Sequence, residues 1–311
     1  MRMILSTIVL TLGWFAAINV VASMLVWTRC GRSLSADRAV RASSLLVIRL
    51  LPAALSMVFA AGVFLPAHFL FEPNEARETF GLVLYFLAAT GGFLLIRSAA
   101  RALGLWRLGR HLRRREHGAV SFAPGIVEVS GHTGVSLAGV IAPRILIGPD
   151  VVRELTSEEL DVAIAHELAH RDAFDNLARW AMACAPDLLG LSGRARRIEQ
   201  AWHEAAESLA DWRAVNGDRV RAMHLASALI KVARLSASAP AGPIPAWSTL
   251  NHPPLLEQRV RYLLTGTQTP APPSVFAVVA VLTIGAGLVA VGTAAGAPVH
   301  HLTEGLVKIL P

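Results

Sequence analysis

Four long runs of apolar residues divide the chain. They cover about residues 3–27, 50–71, 80–96 and 274–297. Each run is long enough to cross a bilayer as a helix, because roughly 20 apolar residues span the hydrocarbon core. The first run carries no charge, is too long for a cleaved secretion signal and is followed by basic residues, so it is expected to stay as a span. The pattern predicts a mostly α, polytopic membrane protein with four transmembrane helices.

Residues 106–273, between the third and fourth runs, have shorter periodicities and are predicted to form one compact domain. Short strands are expected at Val127–Val129 and within Val135–Ile147, which glycines interrupt. Thr156 and Glu159 form a capping-box pattern ahead of an apolar-periodic run, so a helix is expected to start near Ser157. A second helix is predicted from about Arg194 to a stop at Asn216-Gly217.

The charges between the apolar runs predict the orientation in the membrane. Arginines follow the first and third runs, whereas glutamates dominate residues 72–78. By the positive-inside rule, the N-terminus and residues 72–78 lie outside, the domain 106–273 is cytoplasmic and the tail 298–311 is extracytoplasmic. Composition agrees with a membrane protein, since 54% of residues are hydrophobic and the mean hydropathy is +0.50.

The net charge of +7 does not indicate nucleic-acid binding. The arginines crowd the membrane edges, where orientation and contact with anionic lipid account for them. The basic charge is almost all arginine, which is typical of a GC-rich bacterial genome and predicts a bacterial inner or plasma membrane. Cys30 and Cys184 are both expected on or near the cytoplasmic side, so no disulfide is predicted.

The apolar stretch Leu177–Leu191 is short and is interrupted by Pro186 and Asp187. Two interpretations stay open for it. One is a segment at or in the membrane interface, and the other is a buried helix of the domain.

The run HELAH contains His166, Glu167 and His170. Two histidines four residues apart on a helix project from one face and can reach a single zinc ion. A carboxylate next to the first histidine can take a proton from an attacking water and hand it to a leaving amine. The motif therefore predicts a zinc site with Glu167 as the catalytic base.

A third protein ligand is needed, and Glu207 is the best candidate. Glu207 and Asp211 are four residues apart on the second predicted helix, so Asp211 can orient a ligand histidine while Glu207 binds the metal. His203 and Glu204 are alternatives for the third ligand. Asp175, five residues after His170, is a second candidate for orienting a histidine.

These residues carry a resemblance. HELAH, followed by Asp175-Asn176 and by Glu207 and Asp211, resembles the membrane zinc metallopeptidases of the BlaR/MecR type, which are beta-lactam signal-transducer peptidases. The stretch GVIAPRILIGPDVVRELTSEELDVAIAHELAH is similar to the segment that leads into the zinc helix of that family. HPPLLEQRVRYL, from His252 to Leu263, is similar to a segment shared with HtpX-type membrane proteases.

The resemblance implies a cytoplasmic α+β zinc protease domain of the gluzincin type with one zinc ion per chain. It implies a protein substrate cut in regulated proteolysis, with a BlaI/MecI-type transcriptional repressor as one candidate. By the same resemblance, an edge strand pairs with the substrate backbone and His252 contacts substrate. Residues 298–311 are too few for an independent domain, so the penicillin-binding sensor domain of that family is not expected in this chain.

Two other functions stay open at this point. One is an HtpX-type quality-control protease that acts on misfolded membrane proteins. The other is a membrane scaffold or receptor without catalysis, against which the presence of Glu167 argues, because its role is proton transfer and not metal ligation.

Overall fold

The structure is a computed structural model, and it describes residues 2–33, 42–71, 80–115, 120–130, 132–238, 253–266 and residue 305. The described part is mostly helical and contains one small sheet. By its internal contacts the chain divides into two units. Within the described ranges given above, the first unit falls in residues 2–101 and 182–201, and the second falls in residues 102–181 and 202–266.

Three helices of the described residues are long and apolar enough to cross a membrane. Helix α1 is Arg2–Ser33, the second span is built from α2 (Ala42–Phe59) and α3 (Leu65–Phe71), and helix α4 is Leu82–Arg115. The stretches that meet the length and hydropathy of a span are Ile4–Arg29, Ala42–Leu70 and Leu82–Arg110. The fourth predicted run, 274–297, and the tail apart from Gly305 lie outside the described residues.

A wide helical turn, Ala60–Phe64, joins α2 to α3, and Pro66 explains it. The backbone N–H of Leu65 bonds the carbonyl of Ala60, five residues earlier. A proline ring clashes with the carbonyl four residues before it, and widening the preceding turn moves that carbonyl away. The second span therefore continues through the proline as a bulged helix.

The second span starts eight residues earlier than the sequence predicts, because Arg49 is paired inside the first unit. Its Nη1 lies 2.8 Å from Asp187 Oδ2 and its Nε lies 2.6 Å from Glu199 Oε1. Asn19 of α1 binds the backbone on both sides of Asp187, since its side chain donates to the carbonyl of Pro186 and accepts from the N–H of Leu188. A charged residue interrupts an apolar run in the sequence, but it can lie within a membrane-spanning helix when acidic partners neutralise its charge.

The third span also extends past its predicted end at residue 96. Arg97 and Arg101 donate to the backbone carbonyls of Gly190 and Ala183. The stretch Leu177–Leu191 is not one helix: α7 (Asp175–Cys184) ends before Pro186, and a short 3-10 turn follows at Leu189–Leu191. Proline disfavours a helical residue before it, which explains this break.

The second unit contains a four-stranded sheet with strand order β1-β2-β4-β3. The strands are β1 (Val120–Ala123), β2 (Ile126–Glu128), β3 (Val135–Ala138) and β4 (Arg144–Ile147). The pair β2–β4 is parallel and the other two pairs are antiparallel. The sequence predicts β2, β3 and β4 but not β1, and β3 lies at an edge of the sheet.

The remaining helices of the second unit pack on this sheet and on each other. They are α5 (Pro149–Glu154), α6 (Ser157–Asp172), most of α7, the second half of α8 (Gly193–Val215), α9 (Arg219–Ser238) and α10 (Pro253–Thr265). The core brings Val135 and Leu137 of β3 against Val162 and Ala163 of α6 and Leu229 of α9. Burial of these apolar side chains fixes α6, the helix of the HELAH motif, beside the edge strand.

Candidate metal centre

Helix α6 begins where the sequence predicts. Thr156 is its N-cap, its side chain accepts from the N–H of Glu159, and the Glu159 carboxylate accepts from the N–H of Thr156. A hydrogen bond from Ser227 and an ion pair with Lys231, both on α9, also hold Glu159. This reciprocal cap sets the phase of the helix and therefore the face on which the motif histidines project.

His166 and His170 lie on one face of α6 and converge. Their ring centres are 4.7 Å apart and their Nε2 atoms are 3.0 Å apart. Both side chains and that of Glu167 are buried, with at most 1% of each residue exposed. Two ring nitrogens this close in a buried place need a proton or a cation between them.

A carboxylate holds each histidine at its other nitrogen. His170 Nδ1 hydrogen-bonds Asp175 Oδ2 at 2.6 Å, and Asp211 Oδ1 lies 2.9 Å from His166 Nδ1. A carboxylate at Nδ1 favours the tautomer whose Nε2 carries the lone pair. Asp175 and Asp211 therefore hold the two rings with their Nε2 atoms directed toward each other.

Glu207 of α8 supplies the third donor. Its Oε2 lies 3.5 Å from His166 Nε2, and its Oε1 lies 3.4 Å from His170 Nε2. Donors 2.0–2.2 Å from a tetrahedral ion are separated from one another by about 3.4 Å. The two distances to Glu207 match this separation, whereas the two Nε2 atoms, 3.0 Å apart, would have to move slightly apart to bind such an ion. His166, His170 and Glu207 could hold a metal ion, since their donor atoms all lie within 4.8 Å of one another.

The two other candidates for the third ligand do not join this group in the described part of the chain. His203 Nδ1 lies 3.7 Å from Glu207 Oε1 and accepts from Arg179 Nη2 at 2.9 Å. Arg179 also approaches Glu207 Oε1 at 3.4 Å. Glu204 is half-buried, and its backbone carbonyl accepts from Ser208.

The pKa values around the site favour positive charge at its centre. Burial alone would lower the pKa of His170, but the carboxylates of Glu207, Asp175 and Glu167 raise it to about 10. Burial alone would raise the pKa of Glu207, yet His170 and Arg259 hold it well below its usual range. Burial would likewise raise the pKa of Asp211, but nearby positive charge, chiefly that of Arg259, lowers it to about 2. A proton or a metal cation satisfies this electrostatic demand.

Arg259 of α10 is a site residue that the sequence reasoning missed. Its Nη1 lies 2.9 Å from Glu207 Oε2, and its Nη2 approaches His166 Nε2 at 3.5 Å. The missed signal is its position on the apolar face of α10, beside Leu256, Val260 and Leu263 of the core. A cation on such a face requires a buried anion.

Asn176, next to Asp175, ties the start of α7 to the sheet. Its Nδ2 donates to the carbonyls of Leu137 and Gly139, each at 2.9 Å. A side-chain amide thus takes the place of a neighbouring strand along part of the edge of β3. These bonds fix the turn between α6 and α7, and with it the carboxylate that holds His170.

Four carboxylates and two guanidinium groups surround the histidines: Glu167, Asp175, Glu207, Asp211, Arg179 and Arg259. Their formal charge is −2, which a divalent cation would neutralise. His252, predicted to contact substrate, lies outside the described residues, although α10 begins at Pro253 as expected for a proline at the first helical position. In comparisons with known proteins, the chain matches no protein-family model and no curated protein.

Proposed function

We propose that this chain is an integral-membrane zinc endopeptidase. One observation carries the proposal: two imidazole nitrogens and a carboxylate oxygen converge in a buried place, beside a further carboxylate, Glu167, that lies next to a ligand in the chain. Two histidines and a glutamate, with one coordination position left for water or substrate, form a known catalytic zinc set. When bound, zinc supplies Lewis-acid activation of water and of the scissile carbonyl.

Glu167 moves the protons of the reaction. Its carboxylate takes a proton from the attacking water as the C–O bond forms at the scissile carbon, and it then gives that proton to the leaving nitrogen as the C–N bond breaks. The second proton of the water also ends on that nitrogen, so the products are a carboxylate and a protonated amine. The influence of Glu167 on the pKa values of His170 and Arg259 supports its place beside the reacting groups.

Asp175, Asp211 and Arg259 are positioning residues in this mechanism. The two aspartates fix the rings of His170 and His166, so that Nε2 of each faces the metal. Arg259 holds Asp211 and Glu207 at once, and it keeps both carboxylates charged and oriented without a ligand role of its own.

Access is part of the proposal, because the three residues of the motif are buried. His166 and Glu167 have no exposed surface and His170 has 1%. His170 nevertheless lines a cavity of about 210 Å³, together with Leu137 and Asn176 beside the edge strand β3. This cavity is the side from which a peptide bond could approach the centre.

The proposed substrate is a cytoplasmic or membrane protein, and a BlaI/MecI-type repressor is the first to test. The resemblance around HELAH supports this choice, and the arginine distribution supports an active site on the cytoplasmic side. The three candidate spans support a membrane location, for which we propose a bacterial inner or plasma membrane.

The decisive experiment separates proton transfer from metal binding. Glu167→Gln keeps the shape of the side chain and removes the base, so zinc content should stay at one per chain. Cleavage of a co-expressed BlaI/MecI-type repressor should fall by roughly a hundred- to ten-thousandfold. Glu204→Gln, a change one turn before Glu207 and outside the converging group, is the matched control and should retain activity. If Glu167→Gln turns over the repressor like the unaltered protein, the protease proposal fails and a scaffold role replaces it.

A further inference from the structure

Helix α4 carries an exposed apolar stripe that continues beyond Arg97 and Arg101. Phe86, Phe93, Ile96, Leu103 and Trp106 follow one another at spacings of seven and three residues, which places them on one helix face. Each is at least half exposed. The face that a span presents to lipid therefore runs on to Trp106, within the candidate span that ends at Arg110.

Residues 105–110 of α4 line a groove of about 550 Å³ in the second unit. Opposite Trp106 and Arg110, its walls include Ile141 in the turn between β3 and β4, and Leu177 and Trp180 of α7. The Arg110 guanidinium lies 4.7 Å from the centre of the Trp106 ring. Aromatic rings beside cations are typical of the interface between lipid headgroups and acyl chains.

Two further apolar side chains beside this groove are highly exposed, although exposed positions on a water-soluble surface are usually polar. Ile141 is 95% exposed and Phe174 is 68% exposed. A smaller cavity of about 210 Å³ is lined by Ile141, Phe174 and Leu177 and, on its inner side, by His170 and Asn176, so the apolar surface of the groove extends to the edge of the candidate metal centre. Contiguous exposed apolar residues of this size mark an interaction surface.

The backbone at Phe174 strengthens this argument. Its φ is 57°, a left-handed conformation that is strained for a bulky side chain. Burial of the ring does not offset this strain, because the ring is mostly exposed. Contact of the ring with a partner outside the chain would recover the apolar surface energy.

The geometry points to a membrane-contact surface on the second unit, formed by Trp106, Ile141, Phe174 and Leu177 with Arg110 at its rim. Its partner is the headgroup–acyl boundary of a bilayer that contains anionic lipid. A lipid surface fits better than a polypeptide, because the surface continues the lipid-facing stripe of a candidate span and its most exposed members protrude. This inference does not depend on the protease proposal.

Spin labels on the full-length protein test the surface. In a Cys30→Ala, Cys184→Ala background, single cysteines are placed at Ile141 and, as the matched control, at Val220, an exposed apolar residue of α9 in the same unit. The protein is reconstituted in nanodiscs that contain phosphatidylglycerol. Collision of each nitroxide with oxygen, which concentrates in lipid, is compared with collision with a water-soluble nickel chelate.

The Ile141 label should collide at least severalfold more with oxygen than with the nickel chelate, and the Val220 label should show the reverse. In nanodiscs of phosphatidylcholine alone, the Ile141 label should lie shallower. Equal nickel accessibility at the two positions in phosphatidylglycerol would overturn the surface. Protection of Ile141 only after addition of the repressor would also overturn it, in favour of a protein-docking surface. A Leu177→Cys label gives the same reading if Ile141→Cys fails to fold.

Discussion

Arg259 and Asp211 form a bidentate ion pair in which the guanidinium Nε lies 2.8 Å from Oδ2 and Nη2 lies 2.6 Å from Oδ1. Both side chains are buried, and Asp211 Oδ1 also contacts His166. The pair therefore connects α10 to α8 and, through the histidine, to α6. Removing one partner would leave the other charge buried without compensation.

We expect Arg259→Met to lower the free energy of unfolding of the second unit by about 3–5 kcal/mol and to weaken metal binding. Arg261→Met is the matched control, because Arg261 is on the same helix, 69% exposed, and pairs with Glu257, which is 84% exposed. Its cost should stay under about 1 kcal/mol. Thermal unfolding of both variants, with zinc content measured in parallel, checks the prediction. Equal melting temperatures would show that the buried pair carries no stability.

The identity of the third ligand is testable by metal content. Glu207→Ala removes an oxygen donor, so zinc should be lost on dialysis against a weak chelator, whereas Glu204→Ala should keep about one zinc per chain. His203→Ala should also keep its zinc. Loss of zinc from His203→Ala, together with retention in Glu207→Ala, would exchange the roles of these two residues.

The two orienting aspartates should matter less than the ligands themselves. Asp175→Asn and Asp211→Asn keep the size of each side chain but weaken its hold on Nδ1 of the adjacent histidine. Each change should reduce zinc affinity or repressor cleavage by roughly ten- to a hundredfold. Competition with a zinc chelator of known affinity measures the first quantity. Asp172→Asn, an exposed change on α6, should leave both unchanged.

His132 predicts a pH dependence of stability that is separate from the metal centre. Burial lowers its pKa from an ordinary 6.5 to about 4, and its Nε2 contacts Ser136 at 3.1 Å. Between these values the unfolded chain binds more protons than the folded one, so stability falls as pH drops below 6.5. At pH 5 the loss is about 2 kcal/mol.

His132→Gln should therefore lose less stability than the unaltered protein between pH 7.5 and pH 5. The comparison requires unfolding curves of both proteins at the two pH values. A parallel decline in both would assign the acid sensitivity to other groups.

The orientation in the membrane can be tested with reporter fusions. A reporter that is active only in the periplasm should work when fused after Glu75 and stay silent when fused at Ala237. The reason is that arginines follow the first and third apolar runs, which predicts that the domain containing Ala237 is cytoplasmic. The opposite pattern would place the metal centre outside and remove cytoplasmic repressors as substrates.

Local signals predicted a large part of this structure. The capping box placed the start of α6. The end of α8 also followed from the sequence, because Asn216 and Gly217 adopt the left-handed backbone that stops a helix. Such signals lie within a few residues of the feature they determine.

The features that were missed depend on contacts between distant residues. The role of Arg259 requires Asp211, 48 residues away, and the early start of the second span requires Asp187, 138 residues from Arg49. Hydropathy counts an arginine as a break whether or not an acid neutralises it. The hydrogen bond from Asn176 to the edge of β3 could not be predicted from neighbouring residues either, because it forms only when the fold brings α7 beside that strand.

The pairing of Arg49 with Asp187 also bears on how the chain is assembled. Synthesis proceeds from the N-terminus, so the helix that carries Arg49 meets the membrane before Asp187 has been made. During that interval the guanidinium has no counter-ion from this segment. An arginine at the centre of an inserting helix costs about 2.5–3.5 kcal/mol, whereas Arg49 is the eighth residue of α2, from where its long side chain can reach the lipid headgroups. We therefore expect this candidate span to be secured only when the chain beyond α7 folds back onto it.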